Sequence, residues 1–259
     1  MLLTSKENQN IKNAIKLKKS SKFRKQTGCF TAEGLRVCYD AMLSGASITT
    51  LFVTEDAAEK HSEKFSRLSS YADKTLFVSS DIFSLISDTQ TPQGFLCVIK
   101  ALDKTGHFDT IKNGGKFLAL DNVQDPSNLG TILRSAEAFG VSGIIMSSDC
   151  CDVYNPKVVR GSMGAVFRVP FLMCSSIEDF LNDNSFINSY ASVVDCNAES
   201  VSKITFTEPC VVVIGNEGNG LKNETVSACK SSITIPMKGK AESLNASAAA
   251  AIIIWEMMK

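Results

Sequence analysis

The feature that most limits how this chain can fold is a series of short, continuously apolar runs in its second half. They are FLALD (117–121), GIIM (143–146), FRVPF (167–171), YASVV (190–194), CVVVIG (210–215) and SITIPM (232–237). A polar loop and a helical pattern separate each run from the next. A strand with one solvated face alternates apolar and polar residues, whereas a run that is apolar throughout is buried on both faces. Such runs alternating with helices predict an α/β fold built on a parallel sheet covered on each side. In sheets of this kind, ligand loops gather at the carboxyl ends of the strands.

The first hundred residues predict a smaller α/β unit. Residues 5–20 carry a helical pattern with Ile11, Ile15 and Leu17 among lysines, and a second helix is expected over 32–43, opened by Thr31 and ended near Gly45. Strands are expected at 50–53, 75–78 and 94–99. Polar and glycine-rich stretches at 103–109 and 112–115 then break the periodicity and read as a linker. We therefore divide the chain into residues 1–105 and 106–259.

Several function classes are disfavoured at once. No apolar run approaches the roughly 18 residues that a membrane span needs; the most apolar stretch, 246–255, reads as a buried helix or a subunit contact. The amino terminus lacks a cleavable apolar segment, so a cytoplasmic location is expected. The nine cysteines are scattered without a CxxC pair and read as reduced, packed thiols. The two histidines, His61 and His107, lie far in sequence from the glycine-rich loops, so no metal centre is expected.

Net charge is zero, but residues 1–36 hold nine Lys/Arg against Glu7 and Glu33, a local charge of +7 that the rest of the chain offsets with −7. A basic end on an acidic body suits a polyanion, although such runs also serve as solvated helix faces. The cations expected to meet such a polyanion are Lys18, Lys19, Lys22, Arg24, Lys25 and Arg36.

Three glycine- and asparagine-rich loops carry the chemistry. In the first, Asp125-Pro126 signals a turn, Ser127 or Asn128 can cap the next helix, and Leu129, Ile132, Leu133 and Ala136 form its buried stripe up to Gly140. Arg134 lies off that stripe, either paired with Glu137 or free for phosphate. The second loop follows an apolar strand and reads Gly215-Asn-Glu-Gly218-Asn-Gly220. Its glycine order is GxxGxG, not the GxGxxG of a dinucleotide site, and no GK[ST] follows to make a P-loop. Glu217 either faces a ligand or is solvated in the turn. In the third loop, Ser243 or Asn245 caps an Ala/Ile helix that is apolar on nearly all sides and is expected to be buried. Capping uses one of these two polar residues and leaves a spare amide.

The order NxGxxxR, then a strand with GNExxGL, then IPMxGxxxSLNxSxAxAIxxxE resembles the SpoU/TrmH branch of the SPOUT RNA methyltransferases over residues 117–256. Residues 1–100, through the segment from Arg24 to Gly34, resemble the substrate-binding domain that precedes the catalytic domain in many relatives, a ribosomal-protein-like α/β unit. The resemblance implies a parallel sheet tied in a trefoil knot, a homodimer that completes the site, and S-adenosylmethionine as cofactor. By that resemblance Val194, Gly215, Asn216, Gly220, Ile235, Met237, Leu244 and Asn245 hold the cofactor. Asn128, Arg134, Glu217, Ser243 and Asn245 form the catalytic set.

The implied reaction methylates a ribose 2′-hydroxyl and needs no metal; ribosomal RNA is the expected substrate over tRNA. The family assigns the arginine as general base. A guanidinium with a pKa above about 12 is a poor proton acceptor. We expect Arg134 instead to clamp the nucleotide's phosphate and orient the hydroxyl, with the proton leaving to phosphate or water. A non-catalytic RNA-binding or assembly factor with the same fold is the competing class, and loss of Asn128, Arg134 or Asn245 would have favoured it. A nicotinamide enzyme fails on glycine spacing.

Overall fold

A computed structural model describes residues 2–259. The chain divides into two compact units: residues 1–102 with 152–167, and residues 103–151 with 168–259. The sixteen-residue segment 152–167 packs with the first unit although it lies within the second in sequence, so packing does not follow the single cut placed at 105.

The first unit contains β1 (Leu2–Leu3), α1 (Gln9–Lys19), α2 (Ser21–Thr27), β2 (Cys29–Glu33), α3 (Leu35–Leu43), β3 (Ile48–Val53), α4 (Glu55–Lys60), α5 (Ser62–Tyr71), β4 (Thr75–Val78), α6 (Ser80–Ile86) and β5 (Phe95–Lys100). Its mixed sheet runs β1-β4-β3-β5-β2, with β1, β4 and β3 mutually parallel and β5 antiparallel to both β3 and β2. Ile11 and Ala14 of α1 pack with Ile82, Phe83 and Ile86 of α6 against Phe52, Val78 and Leu96 of the sheet. Two expectations change here. Thr31 does not open a helix; it sits buried in β2, and α3 begins after Gly34, whose φ of 97° a side chain would resist. The helical pattern over 5–20 is shortened to 9–19, and Ser20 caps the separate helix α2 through its side chain.

The second unit contains β6 (Lys116–Leu120), α7 (Pro126–Phe139) and β7 (Gly143–Ser147). The chain then forms α8 (Pro156–Gly161), which belongs to the first unit, and α9 (Ala165–Arg168). It continues through β8 (Phe171–Cys174), α10 (Ile177–Asp183), β9 (Asn188–Ser192), β10 (Glu199–Ser200), β11 (Cys210–Ile214), α11 (Asn223–Ala228), β12 (Ser231–Thr234) and α12 (Ala246–Met258). The sheet order is β10-β12-β9-β11-β6-β7-β8 and every pairing is parallel, as the continuous apolar runs require.

One of the six expected strands is displaced. Phe167 lies in the short helix α9 and strand pairing begins only at Phe171, because Pro170 cannot donate to the ladder. The expected linker is not loose either: Phe108 and Ile111 fill the core beside Phe117, Ile145 and Val211.

This order sets up the site. From β6 the chain moves outward through β7 and β8, then returns to lay β9 on the other side, leaving a place that β11 fills between β9 and β6. The carboxyl ends of β6, β11, β9 and β12 are therefore neighbours, and all three glycine- and asparagine-rich loops leave from this edge. It is the point of strand-order reversal at which open α/β sheets bind ligands.

Candidate active site

Each loop is held by its own local chemistry. In the first, Asp125 is the N-cap of α7, accepting from Ser127 N at 2.7 Å, and Pro126 occupies the first helical turn. The cap is thus neither Ser127 nor Asn128. Pro126 fits there because that position lacks an intrahelical N–H bond anyway. Leu129, Ile132, Leu133 and Ala136 are buried and Gly140 closes the helix in the left-handed conformation, as the pattern predicts. With the cap made by Asp125, the Asn128 amide is free to work elsewhere, and at 5% exposure it is nearly enclosed.

The second loop is a tight turn in which Asn216 N donates to Gly220 O at 3.0 Å and Gly220 N to Asn216 O at 2.9 Å. A Cβ on Gly215 would run into the Gly220 carbonyl and the Leu221 nitrogen, so only glycine allows this closure. The Asn216 side chain works inside the structure: Oδ1 accepts from Gly218 N (3.0 Å) and Asn219 N (3.1 Å), while Nδ2 donates to Asn122 O at 2.9 Å.

In the third loop Asn245, not Ser243, caps α12, its Oδ1 accepting from Ser247 N at 3.0 Å and Ala248 N at 3.2 Å. Its spare amide, anticipated from the pair of polar residues, donates from Nδ2 to Asn128 Oδ1 at 2.9 Å. Asn128 Nδ2 in turn donates to Glu217 Oε1 at 3.0 Å. One chain of hydrogen bonds, Asn245 to Asn128 to Glu217, therefore crosses all three loops. Glu217 also accepts from the backbone N–H groups of Gln124 (3.1 Å) and Asp125 (3.0 Å). Partial burial pushes its carboxyl up, but the bonds from Asn128 and from the backbone of Asp125, Glu217 and Gln124 outweigh that and hold its pKa below the ordinary value. Glu217 is thus an ionised acceptor that fixes the first loop to the second, and not a solvated turn residue.

A cavity of about 510 Å³ opens over this network, lined by Gln124, Asp125, Asn128, Glu217, Ser243, Leu244, Asn245 and Ala246. Ser243 is exposed on its wall. A second cavity, about 550 Å³, lies where β9 and β12 end, and Val194, Ile235 and Met237 line it with Asp195, Glu199 and Lys203. The residues expected to hold one cofactor therefore divide between two cavities and the glycine turn. Sequence reasoning did not find Gln124, Asp195 or Glu199. The backbone role of Gln124 leaves no side-chain signal, and the two acids lie outside every recognisable motif. The donor set suits a cationic amino-acid nucleoside. Apolar side chains can flank its base, carboxylates can meet its positive charge, and the glycine turn presents bare backbone.

Arg134 stands apart. It is exposed on α7 and does not line the cavity over Asn128, and its side chain makes no ion pair or hydrogen bond among the described residues; Glu137 pairs with Arg168 at 2.8 Å instead. Helix α12 packs along α7 and buries Ala250, Ile253 and Ile254, but it is not buried all round. Trp255 is 53% exposed, Ile252 is 38% exposed, and the Trp255 ring meets Phe139 edge-on at 5.6 Å.

The basic cluster also divides. Arg24 is 5% exposed; its guanidinium bonds Asp152 through Nε and Nη2, both at 2.7 Å, and the Leu17 carbonyl at 2.6 Å. Lys18 donates to the carbonyls of Leu85 and Ser87. These two cations hold the first unit together, which corrects their assignment to RNA. Lys19, Lys22, Lys25 and Arg36 are exposed. Among the described residues no group of side chains forms a metal-binding cluster, and no helix is long and apolar enough to cross a membrane.

Comparison with known proteins gives this geometry a context. The model of the SpoU rRNA Methylase family matches residues 115–255, and that of the MRM3-like substrate binding domain matches residues 8–97. The chain is 27% identical to the Bacillus subtilis 23S rRNA (guanosine(2553)-2'-O)-methyltransferase RlmP, over 98% of each chain. Among solved structures, an AdoMet-bound rRNA methyltransferase from Sinorhizobium meliloti superimposes with a TM-score of 0.87 at 30% identity, covering 99% of this chain and 97% of the other. The AdoMet complex of the SpoU methyltransferase AviRb from Streptomyces viridochromogenes gives 0.85 at 26% identity, covering 97% of each.

Proposed function

The chain belongs to the SpoU rRNA methylase family, and from that premise we propose that it methylates a ribose 2′-hydroxyl of ribosomal RNA with S-adenosylmethionine as donor. The observation that carries this reading is the Asn245–Asn128–Glu217 chain of hydrogen bonds. It joins the three motifs of the family at the carboxyl edge of the sheet and leaves none of them vestigial. A binding-only protein has no need to keep that constellation satisfied.

The bound cofactor supplies an activated methyl group; the protein's contribution is position. Glu217 and Asn128 hold the first loop against the second, and the capped start of α12 holds the third against both. Loops fixed this way would hold the bound cofactor and the ribose in one set relation, and such positioning can provide many orders of magnitude in rate. Gly215, Gly220, Ile235 and Leu244 offer backbone to the cofactor, with Val194 and Met237 as apolar walls, while Asn216 acts by shaping the turn. Ser243, on the cavity wall, is the exposed hydroxyl available to the ligand.

Arg134 acts as a clamp for the target nucleotide's phosphate and orients the 2′-hydroxyl, the proton passing to phosphate or water. We place it opposite the cavity of a second subunit, in a homodimer formed across α7 and α12. Its exposure and its separation from the Asn128 cavity support this, as does the exposed apolar surface that Ile252 and Trp255 of α12 form with Phe139 of α7. The path of β11 between β6 and β9 supports a trefoil knot in the carboxyl-terminal part of the chain. The first unit, a ribosomal-protein-like domain in this reading, presents structured RNA of the 23S type through Lys19, Lys22, Lys25 and Arg36.

Incubation with radiolabelled S-adenosylmethionine and unmodified total RNA tests the proposal, with the label expected in the ribose of large-subunit rRNA. Label in tRNA would change the substrate. Cofactor binding without RNA labelling would favour an assembly factor.

A further inference from the structure

Outside the methyl-transfer loops, the first unit holds a cavity of about 650 Å³ that no step of that chemistry uses. Its rim carries Arg36 from the first turn of α3, Lys60 from the end of α4, His61, and Lys64 from α5; Asp56 is its one carboxylate. Leu35, Ala57, Phe83 and Pro92 give it apolar walls.

The cavity is built, not incidental. Glu33 accepts from Ser87 Oγ (2.5 Å), Asp88 N (2.6 Å) and Thr89 Oγ1 (2.7 Å) and so pins the start of the loop that ends in its wall at Pro92, Gln93 and Gly94. Gln93 Oε1 then accepts from Leu35 N at 3.1 Å, which fixes the loop against the head of α3. Gly94 lies so close to Thr54 and Ala57 that a Cβ would approach each to 2.5 Å.

The cations, by contrast, are left unspent. The Arg36 and Lys60 side chains make no ion pair or hydrogen bond among the described residues, the His61 ring meets Phe95 edge-on at 6.1 Å, and the Lys64 ammonium lies over the Tyr39 ring, 5.5 Å from its centre, beside Arg67 at 5.2 Å. Three full positive charges against one negative, around a cavity with apolar walls, match a phosphodiester with its base better than a protein segment. Single-stranded RNA is held in this way, by cations on the backbone and an apolar or aromatic face for the base.

We propose that this cavity takes an unpaired nucleotide of the RNA substrate, its phosphates held by Arg36, Lys60 and Lys64. The proposal rests on the RNA methyltransferase reading above and adds three residues, Lys60, His61 and Lys64, that lie outside the amino-terminal basic run.

The test uses the full chain and unmodified 23S rRNA made by transcription. The triple variant R36Q/K60Q/K64Q changes only exposed side chains. It is expected to bind this RNA about tenfold or more weakly at physiological salt, with a salt slope shallower by about two to three. Its affinity for S-adenosylmethionine should be unchanged. Mass-spectrometric lysine labelling on the unaltered protein should show Lys60 and Lys64 protected by the RNA and not by an equal concentration of AMP. Unchanged RNA affinity and salt slope in the variant, or equal labelling with and without saturating RNA, overturns the proposal. If the unaltered protein binds S-adenosylmethionine but not RNA, the RNA methyltransferase reading fails and this proposal with it. Methylation by the unaltered protein, with full RNA affinity in the variant, overturns this proposal alone.

Discussion

The loop site of the second unit and the cavity of the first solve opposite problems. At the loop site the polar groups are already paired with one another: Asn245 with Asn128, Asn128 with Glu217, Glu217 with two backbone N–H groups. In the cavity the fixed parts are backbone and amide, and the charged side chains on the rim form no ion pair among the described residues. A site that must present atoms in line for a reaction gains from groups locked before the ligand arrives. A site that must draw in a polyanion gains from charge kept unneutralised. Arg24 sharpens the contrast, because it belongs to the basic cluster by sequence yet is buried and paired like a residue of the loop site.

The largest effect separating these behaviours is expected at Arg24. Arg24→Ala leaves the Asp152 carboxylate, itself only 13% exposed, without its partner, which typically costs about 3–5 kcal/mol. Chemical denaturation should show this loss. RNA affinity falling with no loss of stability would return Arg24 to the contact surface.

Asn128→Asp puts a second carboxylate against Glu217 and removes the donor that joins them. Single-turnover methyl transfer should drop by about 100-fold or more, the scale of a small misplacement of reacting groups. A rate within threefold of the unaltered protein would mean that the network does not position the reaction.

Gly215→Ala drives a methyl into the Gly220 carbonyl. We expect a loss of about 1–3 kcal/mol in stability, as for overpacking elsewhere, together with weaker S-adenosylmethionine binding by calorimetry. Arg134→Lys should leave stability untouched, because the side chain is exposed, and slow single-turnover transfer by about tenfold through loss of the two-pronged guanidinium. A near-normal rate would remove the clamp.

The smallest effect is a pH dependence. The Glu217 carboxyl titrates below its ordinary value of 4.5 when folded, so its contribution is fully present above that value and is lost as the pH falls through the folded one. Its carboxyl carbon resonance should show the group more than half ionised at pH 4.5, with the titration midpoint at lower pH. A midpoint above 4.5 would show that burial, and not the four donors, governs this residue.

Much of the site was legible because its parts are local in sequence. A glycine that admits no Cβ, an asparagine at the head of an apolar helix and a Pro-led helix start are each decided within a few residues. The limits appear at the same residues. Asn128 could be read as a cap until Asp125 was seen to hold that role, and Ser243 and Asn245 could not be separated. Arg24 and Lys22 look alike in the sequence, yet one is buried and the other exposed, because Asp152 lies 128 positions away.

By itself the sequence determined the parallel sheet, the burial of the α7 stripe, the glycine turn and the family motifs, since each follows from periodicity, backbone freedom or residue spacing. Only the tertiary structure decided which polar groups meet. It joined Asn128 to Asn245 across 117 residues, withdrew Arg24 and Lys18 from the basic surface, and gathered Arg36, Lys60 and Lys64 around one cavity. Hydrogen bonds and ion pairs are short in range, so their partners are chosen by the packing of the sheet and helices that carry them and leave no spacing for a reader of the chain to find.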